Sequence, residues 1–239
     1  MPKPAWLTPT RVAGLLLPGV RKVARSIPER HAAWDTANSL AWEATGPLWV
    51  VLGDSTQVGI GASGLAQSSV AIIHDRLKQA SGQPWRVINL ARHGAKLDDV
   101  TNSQVPRLMK IGPADLVTLG AGANDVLWSF GLQGVLDAVD RLFAVLPRGT
   151  VIGTVPEGRI GKGRKVNAYL RVQGADRGLK VAEAGVLPKA LNMFSADGIH
   201  PNDRGYRFIA ERMAETIGIP LSPAATAAGR SPSEPTARE

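Results

Sequence analysis

The sequence predicts a three-layer αβα domain on a doubly wound, mainly parallel five-stranded sheet. Three observations carry this expectation. Short runs rich in Val, Leu and Ile alternate with segments of helical spacing. The runs are near-continuously apolar, as strands buried on both faces must be. The chain also shows no internal repeat. Strands that alternate with helices pair in parallel through right-handed crossovers, which places helices on both faces.

The elements follow in order. Residues 1–30 read as a loosely attached basic arm, with Lys3, Arg11, Arg21, Lys22, Arg25 and Arg30 facing only Glu29. His31–Ala44 carries Ala33, Trp34, Ala37, Leu40 and Ala41 at helical spacing and predicts a helix. Leu48–Leu52 is the first strand, and Val70–Ala80 a helix that ends at Gly82. Further strands are expected at Trp85–Leu90, Asp115–Leu119 and Thr150–Val155, with a weaker fifth in Leu179–Val186. Helices are expected at Asp98–Ile111 and Gly131–Leu146, and Asn202–Ile217 closes the domain. Residues 31–221 thus read as one domain of ordinary size. The stretch 222–239, rich in Ala, Ser, Pro and Thr without an apolar period, reads as a disordered tail.

Composition narrows the chemistry. The chain has no cysteine, which excludes a thiolate nucleophile, a disulfide framework and Cys-based metal sites. Val12–Val20 is short, and its positive charge falls mainly after it, the reverse of a secretory leader. No apolar stretch is long enough to span a bilayer. These features lead to the expectation of a cytoplasmic protein. The net charge of +8 suits an anionic small molecule or a basic surface equally. Residues 11–25 also fit weak membrane-surface association. Nucleic acid is disfavoured, since there is no zinc finger, aromatic RNA-binding signature or continuous basic helix.

In a sheet of this kind the ligand site lies outside the carboxyl ends of the strands. The first strand runs into Gly53-Asp54-Ser55. Asp and Ser there fit a helix N-cap, and equally a serine hydroxyl on a tight turn with free backbone N–H groups nearby. The second strand leads to Ala91-Arg92-His93-Gly94, where a glycine could aim its N–H at a reacting group past which a side chain would obstruct. The third delivers Gly120-Ala121-Gly122-Ala123-Asn124-Asp125. Asn124 is either turn chemistry or a side-chain donor to an oxyanion. Before the last helix stands Asp197-Gly198-Ile199-His200-Pro201, where Asp and His three apart can hydrogen-bond and fix an imidazole tautomer.

Taken together, GDS, NLARHG, GAND and DGIHP resemble the four blocks of the SGNH, or GDSL-type, hydrolases, over roughly residues 48–217. The resemblance implies a flavodoxin-like sheet and acyl transfer without metal or organic cofactor. It implies Ser55 as nucleophile, His200 as base and Asp197 as its partner. The Ser55 and Gly94 N–H groups and the Asn124 side chain would form the oxyanion hole. The leucine of the family's name is Thr56 here, a departure that bears on packing. Asp54, Arg92, His93 and Lys96 border these blocks and are candidate substrate contacts. Gly59, Gly61 and Ala62 leave room for an acyl chain or ease packing. The chain is also similar to actinobacterial members with a helix before the GDS strand. That likeness, with the basic charge and expected location, favours an O-acyltransferase that moves a short or medium acyl group from acyl-CoA to an acidic sugar such as diglucosylglycerate. Carboxyl-ester or thioester hydrolysis, or glycan deacetylation, is the alternative.

Overall fold

The computed structural model describes residues 18–128, 131–157, 161–188 and 192–219. The expected tail at 222–239 and the first half of the expected arm lie outside these residues. The second half of the arm is a correction. Pro18–Glu43 is one continuous helix, α1, with Val23, Trp34 and Ala41 buried along it. Pro28 lies inside this helix and withholds one N–H from its ladder, but packing of Val23 and Trp34 against the domain carries the helix through.

Five strands follow: β1 (Leu48–Gly53), β2 (Arg86–Asn89), β3 (Leu116–Gly120), β4 (Val151–Gly153) and β5 (Lys180–Ala182). They pair in parallel in the order β2-β1-β3-β4-β5. The connecting helices are α2 (Ser55–Val58), α3 (Ser69–Ser81), α4 (97–111), α5 (Ala123–Trp128), α6 (Gln133–Phe143), α7 (Lys162–Asp176) and α8 (Asp203–Ile217). Like α5, whose first residues read in the sequence as the motif loop after the third strand, α7 has no counterpart among the expected helices. Its two glycines and many cations blur the apolar stripe, and only Val166 and Leu170 are large apolar residues buried on it.

Side-chain alternation along β1 divides the core between the two faces of the sheet. Leu48, Val50 and Leu52 pack with Leu97, Val100, Leu108, Val139, Leu142 and Leu170 of α4, α6 and α7. Trp49 and Val51 pack with Trp34, Ile73, Tyr206 and Met213 of α1, α3 and α8. The chain leaves β1 toward β2, then returns past β1 to β3, so the strand order reverses between β1 and β3. The carboxyl ends of these two strands are in register at Gly53 and Gly120.

The helix α4 runs as Leu97–Asp99, a π-turn over Val100–Gln104, and Val105–Ile111. Pro106 has no N–H to continue an ordinary helical ladder, and the Val105 N–H bonds Val100 O five residues back. The π-turn carries Gln104 inward, 1% exposed, where its amide accepts from Gly53 N at 2.8 Å and donates to Gly53 O at 2.8 Å. Gln104→Leu leaves the buried Gly53 N–H without a partner and Gly53 O with Arg92 N alone, and should destabilise the fold by about 1–3 kcal/mol. Urea unfolding with unchanged m-value checks this, and a loss below about 1 kcal/mol contradicts the role given to Gln104.

Candidate active site

The end of β1 is built for a close turn. A Cβ on Gly53 would lie 2.4 Å from Gly120 O and 2.5 Å from Gln57 Cγ, so only glycine fits. Asp54 then caps α2 by accepting from Thr56 N at 2.9 Å, and Ser55 is the first residue of that helix. The loop after Ser55 is held by three distant side chains. Trp34 Nε1 donates to Val58 O, Tyr206 Oη to Ile60 O and Arg30 to Ala62 O, at 3.0, 2.6 and 2.8 Å. Gly61, at φ +96°, faces Pro201 O and His200 Cβ, and Gly59 faces the Ser68 side chain. These glycines therefore serve packing against the neighbouring loops.

The His200 loop is tied down in the same way. Asn202 caps α8 through Arg204 N and Gly205 N, while its Nδ2 donates to Asn192 O and Phe194 O. His200 Nε2 lies 3.0 Å from Ser55 Oγ, and Nδ1 lies 2.6 Å from Asp197 Oδ2. Asp197 Oδ1 accepts from Ser195 Oγ, Ile199 N and His200 N. Burial alone would raise the Asp197 pKa, but the hydrogen bond from His200 and those from the backbone outweigh it. The carboxylate therefore sits well below the usual range and remains ionised. An anionic Asp197 fixes the proton on His200 Nδ1 and leaves Nε2 to accept from Ser55.

A second set of groups faces the serine. Gly94 has φ +78°, yet open space surrounds the position of its missing Cβ. Its glycine is thus required by backbone conformation, and the expectation that a side chain would obstruct there is corrected. Among the described residues, the Ser55 and Gly94 N–H groups donate to no protein acceptor. Asn124, at the start of α5, donates from Nδ2 to Ala95 O at 3.0 Å and keeps a second amide hydrogen. The loop that bears Gly94 is anchored by Arg92 N to Gly53 O and by Leu97 N to the Asp125 carboxylate.

Residues 51–208 match the GDSL-like Lipase/Acylhydrolase family. The chain belongs to that family. No curated protein sequence matches it. Solved structures with the same fold include a lipolytic protein of the G-D-S-L family from Veillonella parvula, 19% identical with a TM-score of 0.58, covering 72% of this chain and 98% of that one. The acetylxylan esterase Axe2 from Geobacillus stearothermophilus is 16% identical with a TM-score of 0.59, covering 73% and 95%. The esterase EstA from Pseudoalteromonas sp. is 18% identical with a TM-score of 0.56, covering 72% and 96%. As a member of the GDSL-like family, the chain is a serine hydrolase-type enzyme.

The remaining candidates of this GDSL-like enzyme fare differently. Asp54, expected to contact substrate, is 1% exposed and serves as the cap of α2. Arg92 turns toward α1, 3.2 Å from His31 Nδ1 and 3.7 Å from Asp35, so α1 takes its charge. His93 stands beside His200, with their ring centroids 6.1 Å apart. Burial, then the neighbouring His200 and His31, lower its pKa and favour the neutral ring. Lys96 is exposed where α4 begins. Sequence reasoning missed Gln104, Ser195, Trp34, Tyr206 and Asn89. The last donates to Gln57 O and accepts from Ala91 N, joining the first two motif loops. Its place at the head of NLARHG was the available signal.

Asp54 also sets a pH dependence. Burial pushes its pKa up to about 6, only partly offset by the Thr56 N–H. A raised carboxyl pKa means that the buried acid is stable at low pH. Its ionisation then costs stability as pH rises through about 6. The wild type should therefore lose up to about 3 kcal/mol between pH 4 and pH 8 that Asp54→Asn does not lose. Thermal unfolding at a series of pH values checks this, and equal pH slopes for the two proteins would contradict it.

Proposed function

We propose that this GDSL-like enzyme transfers an acyl group through an acyl-Ser55 intermediate. The observation that carries this reading is the hydrogen-bonded run Ser55–His200–Asp197 beside the unpaired N–H groups of Ser55 and Gly94. Ser55 Oγ attacks an ester or thioester carbonyl as its proton moves to His200 Nε2, and the new imidazolium is stabilised by Asp197. The oxyanion forms against Ser55 N, Gly94 N and the Asn124 amide. His200 then protonates the leaving alkoxide or thiolate. A second nucleophile loses its proton to His200, attacks the acyl carbon and releases Ser55. No step requires a metal or organic cofactor.

For that second nucleophile, our reading favours a sugar hydroxyl over water. The donor would be a short or medium acyl-CoA, such as octanoyl-CoA, and the acceptor an acidic sugar such as diglucosylglycerate, in the cytoplasm. Leu127 and Trp128 support an acyl chain at this place. They lie three and four residues after Asn124 on α5, hence on the same helix face, and both are exposed. Lys96 and the net charge of +8 suit an acidic acceptor. Arg92 gives this reading less support than its sequence position promised, because it is held by α1. Hydrolysis is the second reading, since all of the same groups serve water equally well.

Ser55→Ala should abolish turnover of nitrophenyl esters, and near-normal turnover would overturn the assignment. Asn124→Ala should lower kcat by about 10²–10³ without abolishing it. Turnover of octanoyl-CoA with and without diglucosylglycerate, with products identified by mass, decides the acceptor. Acylated sugar formed in preference to octanoate supports the transferase reading, and octanoate alone makes the enzyme a hydrolase.

A further inference from the structure

A cleft of about 580 Å³ lies between the first half of α1, the loop over Gly61–Ser63 and the loop over 192–204. That volume suits a small molecule. The acyl-transfer steps above do not use it. Three cations line it, Lys22, Arg30 and Arg204. Among the described residues, none of the three forms an ion pair. Arg30 uses one guanidinium nitrogen on Ala62 O, while its Nε is buried with no partner. Two carboxylates also line the cleft. Asp203 already accepts from Ser63 N at 2.7 Å and from Ser63 Oγ at 2.6 Å, so Glu29 remains as the uncommitted acid against three cations.

We infer that this cleft is a second binding site, which takes a small ligand bearing a phosphate or carboxylate group. Guanidinium and ammonium groups with no protein partner are the donors that such groups attract. The cleft is also linked to the triad. Ser195 lines it, and the Ser195 hydroxyl donates to Asp197 Oδ1 at 2.8 Å. Gly61, on the opposite wall, packs against His200. An anion seated there lies next to the groups that orient the base, without entering the space around Ser55.

The test uses the full chain as its Ser55→Ala variant and inorganic pyrophosphate as probe, so that binding is read apart from turnover. Calorimetry should show one site, with affinity that falls as salt is raised. Lys22→Glu with Arg204→Glu should weaken it by about tenfold or more. Both positions are exposed, and an unchanged circular-dichroism melt excludes misfolding. Amide shifts in the NMR spectrum should cluster at Gly61, Ser63, Ser195 and Arg204. No binding, binding indifferent to the double variant, or shifts confined to position 55 and Gly94 would each overturn the inference. The source of the anionic group is separated by kinetics, an arm that rests on the proposed acyl transfer. Pyrophosphate that competes with octanoyl-CoA and leaves nitrophenyl octanoate turnover alone places the group on the acyl donor. A change in both rates makes it a separate effector that acts through Ser195 and Asp197.

Discussion

Two loops 145 positions apart in the chain meet at Ser55 and His200, and the meeting is useful only if neither loop shifts against β1. A change of about 1 Å would break the 3.0 Å hydrogen bond between the Ser55 hydroxyl and the His200 imidazole. The fold meets this constraint by satisfying backbone groups with side chains from remote elements. Gln104 closes Gly53 on one face of the sheet, while Trp34, Tyr206 and Arg30 hold alternate carbonyls of the serine loop, at 58, 60 and 62, on the other. Buried peptide groups must find partners, so each of these bonds fixes a position as well as stabilising it.

The helix before the first strand is part of this arrangement. Through Trp34 and Arg30 it reaches the serine loop, and through His31 and Asp35 it reaches the loop of Gly94. It also bounds the cleft beside His200. One helix thus contacts the loops of Ser55, Gly94 and His200, which come from three separate parts of the chain.

The architecture and the grouping of Ser55, His200 and Asp197 were legible in the sequence because each depended on local pattern. Apolar runs of strand length stand out, and Gly-Asp-Ser or Asp-Gly-Ile-His carry their chemistry within a few residues. The strand order came only through the family resemblance, whose flavodoxin-like sheet is the observed β2-β1-β3-β4-β5, because the pairing of β1 with β3 joins segments distant in sequence. The reach of α1 was hidden by Pro28 and by cations that read as solvated arm. The π-turn of α4 was hidden because only Pro106 marks it, and a Gln in a polar-looking helix gives no sign that it points inward. Arg92 illustrates the opposite error. A cation beside a motif suggested a ligand, but its partners lay on a helix sixty residues earlier.

The amide of Asn38 has a consequence beyond the site. It donates to Asn89 O and accepts from Asn89 N, the outward-facing pair on β2, so a side chain stands where a sixth strand would add. At the other border β5 is only three residues long and begins at the exposed Lys180. Short edges, lysines and covered hydrogen-bonding groups are the devices by which sheets resist growth. Strand addition is thereby hindered at β2, where Asn38 occupies the edge groups of Asn89, and discouraged at β5 by its shortness.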